Sequence, residues 1–153
     1  MNRNCLLVAI AIAGVIFGLV SRRARAHNPD PNDPLQAAMP VLKVADIDKA
    51  VSYYCDVLGF HEEFKAADPG KPANYAGVGR GMVNFHLSTG NNAIAGGTIY
   101  LIVKNVDKLH EQFKSKGANI TEPPGDRPYQ MRDFALKTPD GQTLSFGQGI
   151  EKK

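Results

Sequence analysis

The chain has 153 residues, of which 43% are hydrophobic and 22% are charged, and these values are typical of one compact globular unit. Its formal net charge is +3, but four arginines precede His27, where no acidic residue occurs. The rest of the sequence holds 14 basic and 15 acidic residues. It therefore has no basic excess, which argues against nucleic acid as a partner.

The N-terminus has the pattern of a targeting segment. Arg3 precedes the apolar residues 6–20, and Ala24-Arg25-Ala26 follows them, which predicts a signal peptide cleaved near Ala26 and an exported (periplasmic or secreted) protein. The alternative is an uncleaved membrane anchor at residues 6–20, because the arginines after this run favour retention on the cytoplasmic side. We assign residues 1–26 to a signal peptide or membrane anchor and the proline-rich residues 27–35 to a flexible linker.

Removal of this leader would leave Cys55 as the only cysteine. An intrachain disulfide would then be impossible, so the fold must depend on its hydrophobic core.

An internal repeat organises the remainder of the chain. Each copy consists of an apolar strand, a polar turn and the start of a helix, and the two copies are 59 residues apart. Such a repeat predicts two copies of one module. The corresponding pairs are Leu42 with Leu101, Val44 with Val103, Asp48 with Asp107, Lys49 with Lys108, and Tyr54 with Phe113.

Module one, residues 36–90, is predicted from hydrophobic periodicity and turn residues. Asp46 is the expected cap of a helix that extends to about Leu58 and is ended by Gly59. A hairpin turn is expected at residues 79–81, and a linker between the modules at residues 90–97. The predicted strands are 41–44, 60–65, 74–78 and 83–88.

Module two, residues 97–150, repeats the same order. Its helix is predicted at residues 106–115, ended by Gly117, and a proline-rich loop is predicted at residues 123–128. The predicted strands are 98–103, 118–122, 131–137 and 143–147. The sequence therefore predicts an α+β fold of two βαβββ modules, in which each helix covers one face of its sheet and the other faces enclose one shared cavity.

Two segments carry a resemblance to a known family. Residues 40–60, with Tyr53-Tyr54 and Val57-Leu58-Gly59-Phe60, and residues 131–148, with Pro139-Asp140-Gly141, resemble the vicinal oxygen chelate superfamily. This superfamily includes glyoxalase I, bleomycin-resistance proteins, fosfomycin-resistance enzymes and extradiol dioxygenases. The resemblance covers about residues 36–150 and implies the glyoxalase-like fold, a curved sheet around one cavity. It leaves the chemistry open, because one scaffold hosts many activities.

The resemblance also implies where a metal would bind. In the family's metalloenzymes the first and last strands of each module supply histidine and glutamate ligands, and these positions are Met39, His86, Thr98 and Ser145 here. Only His86 is a good ligand for a divalent ion. We therefore expect no metal and no other cofactor, with a divalent metal as the alternative.

Strand alternation selects the side chains that face the cavity. His86 is the candidate catalytic base, or else a core histidine bonded to a neighbouring carbonyl. Arg132 is either a ligand contact or half of an ion pair at a strand edge. Other residues expected near the cavity mouth are Tyr75, Arg80, Arg127, Tyr129 and Asp133. The predicted ligand-binding residues are Met39, Asn84, His86, Thr98, Tyr100, Arg132 and Ser145.

Three functions fit these residues. The first is a protein like the bleomycin-resistance branch that binds a small organic ligand without metal, and for this branch the resemblance implies a homodimer. The second is a divalent-metal-dependent lyase or dioxygenase. The third is a metal-free lyase or isomerase with His86 as base. A membrane partner is expected only through an uncleaved leader.

Overall fold

The computed structural model describes residue 34 and residues 37–150. The predicted signal peptide or anchor lies outside the described residues, as does most of the linker at residues 27–35. Among the described residues, no helix is both long and apolar enough to cross a membrane.

Module one forms a four-stranded sheet with one helix. The strands are β1 (Val41–Lys43), β2 (His61–Ala67), β3 (Ala73–Arg80) and β4 (Val83–Ser88). Helix α1 (Ile47–Ser52) continues into a π-helical turn, Tyr53–Val57. The strand order is β1-β4-β3-β2, with β1 parallel to β4 and the other neighbours antiparallel.

Module two repeats this topology. The strands are β5 (Thr98–Ile102), β6 (Ile120–Asp126), β7 (Met131–Lys137) and β8 (Thr143–Gly149), with helix α2 (Val106–Ser115) after β5. The strand order is β5-β8-β7-β6, and β5 is parallel to β8. The two predicted βαβββ modules are therefore confirmed. In the described part of the chain they form two separate curved sheets that do not close into a barrel.

The repeat extends to the helix caps. The Asp46 side chain accepts a hydrogen bond from the Lys49 amide at 3.0 Å, and Asn105 accepts one from the Lys108 amide at 2.9 Å. These caps satisfy backbone donors that have no partner within the first helical turn. The helix predicted to run to about Leu58 is observed as far as Val57, but its second half is π-helical, because the Leu58 amide bonds to the Tyr53 carbonyl and widens the turn.

The bounds of two loops differ from the prediction. Gly79 and Arg80 belong to β3, and the turn falls at Gly81, whose φ is 61°, and Met82. The loop predicted at residues 123–128 is mostly strand, because β6 extends to Asp126. Its two prolines are compatible with a strand since β6 is at the edge of its sheet, where half of the backbone donors need no partner.

One hydrophobic core joins the modules. It contains Tyr54 and Phe85 from module one and Phe113, Phe134 and Phe146 from module two, all at most 3% exposed. Polar bonds close the same boundary at its surface. The Gln142 amide donates to the Lys43 carbonyl at 2.6 Å, and the Ala45 amide donates to the Asp140 carboxylate at 2.7 Å.

Candidate functional site

Each sheet has one face packed on the core and one face turned away from it. In β4, Phe85 and Leu87 are buried while His86 between them is half-buried. In β5, Leu101 packs on the core, whereas Tyr100 is 43% exposed. Side chains alternate across a strand, so the residues that escape the core share the second face. We define open face one by Phe64, Tyr75 and His86, and open face two by Tyr100, Arg127, Tyr129 and Asp133.

Open face one is an aromatic cluster. The Tyr75 hydroxyl lies 2.9 Å from His86 Nδ1, and their rings meet edge-on with centroids 5.4 Å apart. Phe64 stacks on Tyr75 at 6.2 Å and meets His86 edge-on at 5.4 Å. Such geometries fix aromatic rings relative to one another.

Gly77 allows this cluster to form. It pairs in register with Phe64 on one side and His86 on the other. A Cβ atom at Gly77 would lie 2.4 Å from a carbon of the Phe64 ring. The Phe64 ring therefore occupies the space that any other residue would fill.

The hydrogen bond defines what His86 offers to a ligand. A phenol is a good donor and an imidazole nitrogen a strong acceptor, so we assign Tyr75 as the donor to His86 Nδ1. The remaining ring nitrogen, Nε2, then carries the proton and is a donor. The partner of His86 is thus a phenol and not the carbonyl expected for a core histidine.

A depression of about 370 Å³ adjoins open face one, lined in part by Val41, Tyr75 and Ser88. Residues 90–93 form another part of its wall, and Lys43 anchors the start of this segment. The Lys43 ammonium donates to the Gly90 carbonyl at 3.0 Å and to the Thr89 carbonyl. The wall is therefore held in place by a charged donor on β1.

Open face two is centred on a carboxylate. The side chain of Asp133 is only 8% exposed and accepts three hydrogen bonds. Arg127 donates to one oxygen at 2.6 Å, and Tyr129 and Tyr100 donate to the other at 2.6 and 3.0 Å. The two tyrosines remain 62% and 43% exposed. Their rings thus face solvent while their hydroxyls are fixed by the Asp133 carboxylate.

The protonation states follow from these contacts. Burial disfavours the ionised form of Asp133, but the bonds from Tyr129, Arg127 and Tyr100 outweigh it and hold the pKa of this carboxyl below its usual range. Burial and the bond to Asp133 raise the pKa of Tyr100 to about 12. Near neutral pH the face therefore presents neutral phenols around one ionised carboxylate, which is paired with the Arg127 guanidinium.

Gly147 has the role on this face that Gly77 has on the other. A Cβ atom there would lie 1.9 Å from the Tyr100 hydroxyl oxygen. The Tyr100 side chain reaches Asp133 by crossing β8 above this glycine, since Asp133 and Gly147 pair in register. A side chain at residue 147 would displace Tyr100.

The structure brings together some of the predicted site residues. Tyr100 and Ser145 are register partners on β5 and β8, with Thr98 exposed at the start of β5. Asn84 lies two residues from His86, with its amide nitrogen 3.2 Å from the Glu63 carboxylate when the amide is oriented to donate. Met39 is 48% exposed ahead of β1.

In the described part of the chain, the contacts that hold each open face all lie within its own module.

Arg132 lies elsewhere. It follows Met131 and precedes Asp133 on β7, so it projects from the opposite face of the sheet, where it meets Asp107 of α2. Arg132 donates to both oxygens of Asp107, at 3.0 and 2.8 Å, and to Asp126 at 2.8 Å. The structure therefore favours the predicted alternative of an ion pair at the strand edge.

The sequence analysis placed Tyr75, Arg127, Tyr129 and Asp133 near the cavity mouth without counting them among the ligand-binding residues, and it did not name Phe64. Alternation along β7 was the available signal for Asp133, because it stands two residues from Ala135, the register partner of Ser145. No comparable signal identified Phe64. It reaches His86 only because β2 and β4 flank the same strand.

A divalent metal ion does not fit the side chains at the four positions where the family resemblance implies metal ligands. Of Met39, His86, Thr98 and Ser145, only His86 offers an imidazole, and its Nδ1 is bonded to Tyr75. Among the described residues, no three histidine, cysteine, aspartate or glutamate side chains form a group that could hold a metal ion.

Comparison with known proteins agrees with this architecture. Residues 36–146 match the Glyoxalase/Bleomycin resistance protein/Dioxygenase superfamily. The chain belongs to this superfamily. It is 30% identical over 137 residues to the bleomycin resistance protein of Geobacillus stearothermophilus, covering 74% of this chain and 97% of that relative. It is 25% identical over 124 residues to a probable lactoylglutathione lyase of Synechocystis, covering 74% and 95%.

A solved relative shows the same fold. The bleomycin-binding protein of bleomycin-producing Streptomyces verticillus, crystallised with copper(II)-bleomycin, superposes with a TM-score of 0.56 at 27% identity. The superposition covers 76% of this chain and 96% of that one. The predicted membership and glyoxalase-like fold are thereby confirmed.

Proposed function

We propose that this superfamily member is a bleomycin-resistance-like protein that binds a small organic ligand on its open faces and needs no metal to do so. The observation that carries the proposal is that exposed aromatic side chains on open face two are held in fixed positions. Tyr100 and Tyr129 are exposed, yet both are held by one buried carboxylate. Groups fixed before binding lose little conformational entropy when a ligand arrives.

The two faces offer complementary contacts to such a ligand. The tyrosine rings provide apolar area for a planar or aliphatic group. On open face one, His86 Nε2–H provides a hydrogen-bond donor, which suits a carbonyl or other acceptor of the ligand. Few polar groups among apolar walls are typical of small-molecule sites.

Catalysis has weaker support. Similarity to a probable lactoylglutathione lyase favours a metal-dependent lyase, but the donors at the family's metal positions do not fit a divalent ion. A metal-free lyase or isomerase would need His86 to accept a proton. Its only lone pair, on Nδ1, is already occupied by Tyr75.

We also propose that two chains together build the ligand groove. In the described part of one chain, each open face is held by contacts within its own module, so each face can receive a second copy. This arrangement would set open face one of one chain against open face two of its partner and exclude water from the ligand.

We further propose that the protein acts outside the cytoplasm, on the basis of the leader pattern in residues 1–26. Retention by residues 6–20 as an anchor is the alternative. N-terminal sequencing of protein recovered from fractionated cells distinguishes them: a chain starting near His27 indicates cleavage, and an intact leader in the membrane fraction indicates anchoring.

Calorimetric titration of the full chain with metal-free bleomycin and with copper(II)-bleomycin tests the binding function. We expect Tyr100→Ala to weaken binding at least tenfold and Tyr100→Phe to weaken it less, because phenylalanine keeps the ring but loses the bond to Asp133. Asp126→Asn, which alters an exposed carboxylate outside both faces, is the control. Absence of binding, or equal affinity in wild type and Tyr100→Ala, contradicts the proposal.

Metal binding by the protein needs its own measurement. The chain is dialysed against Zn²⁺, Ni²⁺, Mn²⁺ or Fe²⁺, and metal content and melting temperature are compared with those of His86→Ala. A metal that binds only the folded state raises the melting temperature. We expect no stoichiometric metal and no His86-dependent shift. One equivalent that is retained by wild type and lost by His86→Ala would favour the lyase or dioxygenase.

A further inference from the structure

A second cavity lies between the two modules, outside both open faces. It has a volume of about 680 Å³ and is formed where the end of β3 in module one meets β5 and α2 in module two. We name it the inter-module cleft and define it by Phe60, Arg80, Leu101, Lys104, Leu109 and Phe113. No residue that defines an open face lines it.

The cleft is mainly apolar. Phe60 and Phe113 are buried core residues that form its floor. Leu101 and Leu109 pack on the core from its sides. At its rim Met82 is 93% exposed and Ile102 is 73% exposed, so large apolar side chains surround the entrance. Exposed apolar side chains at the rim of an apolar concave site are typical of a binding surface.

The charged groups of the cleft all have one sign. Arg80 and Lys104 line it, and no carboxylate does in the part of the chain that the structure describes. Arg80 is held by neutral groups: it donates to the Leu58 carbonyl and, at 3.3 Å, to the Gln112 side chain. Its guanidinium also lies 5.6 Å from the centre of the Phe113 ring. These contacts orient the guanidinium but supply no full negative charge.

We propose that the inter-module cleft binds an amphipathic anion, with an aliphatic or aromatic body above Phe60 and Phe113 and a carboxylate at Arg80 and Lys104. The volume lies within the range of about 300–1,000 Å³ that is usual for small-molecule sites. The guanidinium of Arg80 presents donors suited to a carboxylate, and Lys104 adds an exposed positive charge at the entrance. This proposal goes beyond ligand binding on the open faces, because no residue that defines them lines the cleft.

Calorimetric titration of the full chain with decanoate tests this site. Decanol has the same apolar chain without charge, and decyltrimethylammonium has the opposite charge. We expect decanoate to bind more tightly than decanol, decyltrimethylammonium to bind most weakly, and added salt to weaken decanoate alone. Equal affinity for the three probes, or no binding of decanoate, overturns the proposal.

A matched pair of charge reversals locates the anion. Lys104→Glu is made in the cleft. Lys137→Glu is made at another exposed lysine, which pairs with Thr143 at the start of β8, whereas Ile102 of the cleft pairs with Gly147 near the end of that strand. We expect Lys104→Glu to weaken decanoate binding about fivefold and Lys137→Glu to leave it unchanged. Equal effects of the two variants would overturn the proposal. Arg80→Met is a further variant in the cleft. If Arg80→Met does not fold, the comparison of Lys104→Glu with Lys137→Glu still tests the proposal.

Amide chemical-shift mapping separates this site from the proposed function. Decanoate is expected to shift the amides of Lys104 and Leu109 and to leave those of His86 and Tyr100 in place. Shifts confined to His86 and Tyr100 would assign the probe to the open faces and overturn the cleft proposal. A decanoate affinity that falls as protein concentration rises would overturn it too, because a second copy would then cover the cleft.

Discussion

The two open faces have the same pattern of strand pairing but carry different side chains. Gly77 pairs with His86 in module one, and Ala135 pairs with Ser145 in module two. Two residues before these pairs, Tyr75 and Asp133 occupy equivalent places on β3 and β7. Tyr75 donates to the imidazole of His86, whereas Asp133 accepts from a guanidinium and two phenols.

This difference shows how little of a site the backbone specifies. Both modules bring a side chain across the sheet above a glycine, Phe64 above Gly77 and Tyr100 above Gly147. Face one is then held by ring packing and one neutral hydrogen bond, and face two by a buried charge. The energetic cost of breaking each face should differ accordingly.

The largest effect is expected for Asp133→Asn. The substitution keeps the shape of the side chain but removes the anion that Arg127, Tyr100 and Tyr129 share, so the free energy of unfolding should fall by about 3 kcal/mol. Urea unfolding measures it. Asp126→Asn is the matched control, because Asp126 also pairs with an arginine but its side chain is 65% exposed. Similar losses in the two variants would show that the Asp133 cluster is not a stabilising centre.

A smaller loss is expected for Gly147→Ala. The new methyl group must push Tyr100 off Asp133, which costs about 2 kcal/mol through one broken hydrogen bond and a less satisfied carboxylate. Gly149→Ala, in the same strand, meets no atom within 4 Å. Thermal unfolding should therefore separate the two variants. Equal melting temperatures would place Tyr100 elsewhere.

On face one, Tyr75→Phe should reduce the free energy of unfolding by only about 1 kcal/mol, because it removes a single neutral hydrogen bond and keeps the ring stack. Nitrogen chemical shifts of the His86 ring check the assignment directly. In wild type we expect the proton on Nε2, and in Tyr75→Phe a mixture of tautomers. A wild-type proton on Nδ1 would reverse the donor and acceptor roles.

The smallest effect is expected for the pH dependence of the stability that open face two contributes. The pKa of Asp133 is lowered on folding, so its stabilisation is present above the unfolded value of roughly 4 and is lost as pH falls through the lower folded value. The pKa of Tyr100 is raised to about 12. Its stabilisation is complete below the unfolded value of roughly 10 and is lost as pH rises between these values.

Tyrosinate absorbance recorded against pH measures the alkaline part. Subtracting the titration of Tyr100→Phe from that of wild type should isolate a group that ionises near 12. Because Tyr100 is 43% exposed, the associated change in stability is expected to be small. A difference curve centred near 10 would mean that the phenol is not bonded to Asp133 in solution.

The sequence by itself determined the modular architecture. The repeat, the cap at Asp46, and the alternation that places Tyr100 and Ser145 on one face are all local or periodic features. Helix α2 and strands β4 and β7 have the predicted boundaries. Such patterns are readable because side-chain direction repeats with a fixed period in a helix or a strand.

Only the tertiary structure decided which partners these side chains meet. Tyr100 and Asp133 are 33 residues apart and meet through the registers of β5 with β8 and of β8 with β7. Arg80, predicted in a turn, instead lies at the end of β3 against α2 of the other module. A shift of one residue in any register would move these groups to opposite faces. Register depends on packing across the whole core, which no local segment encodes.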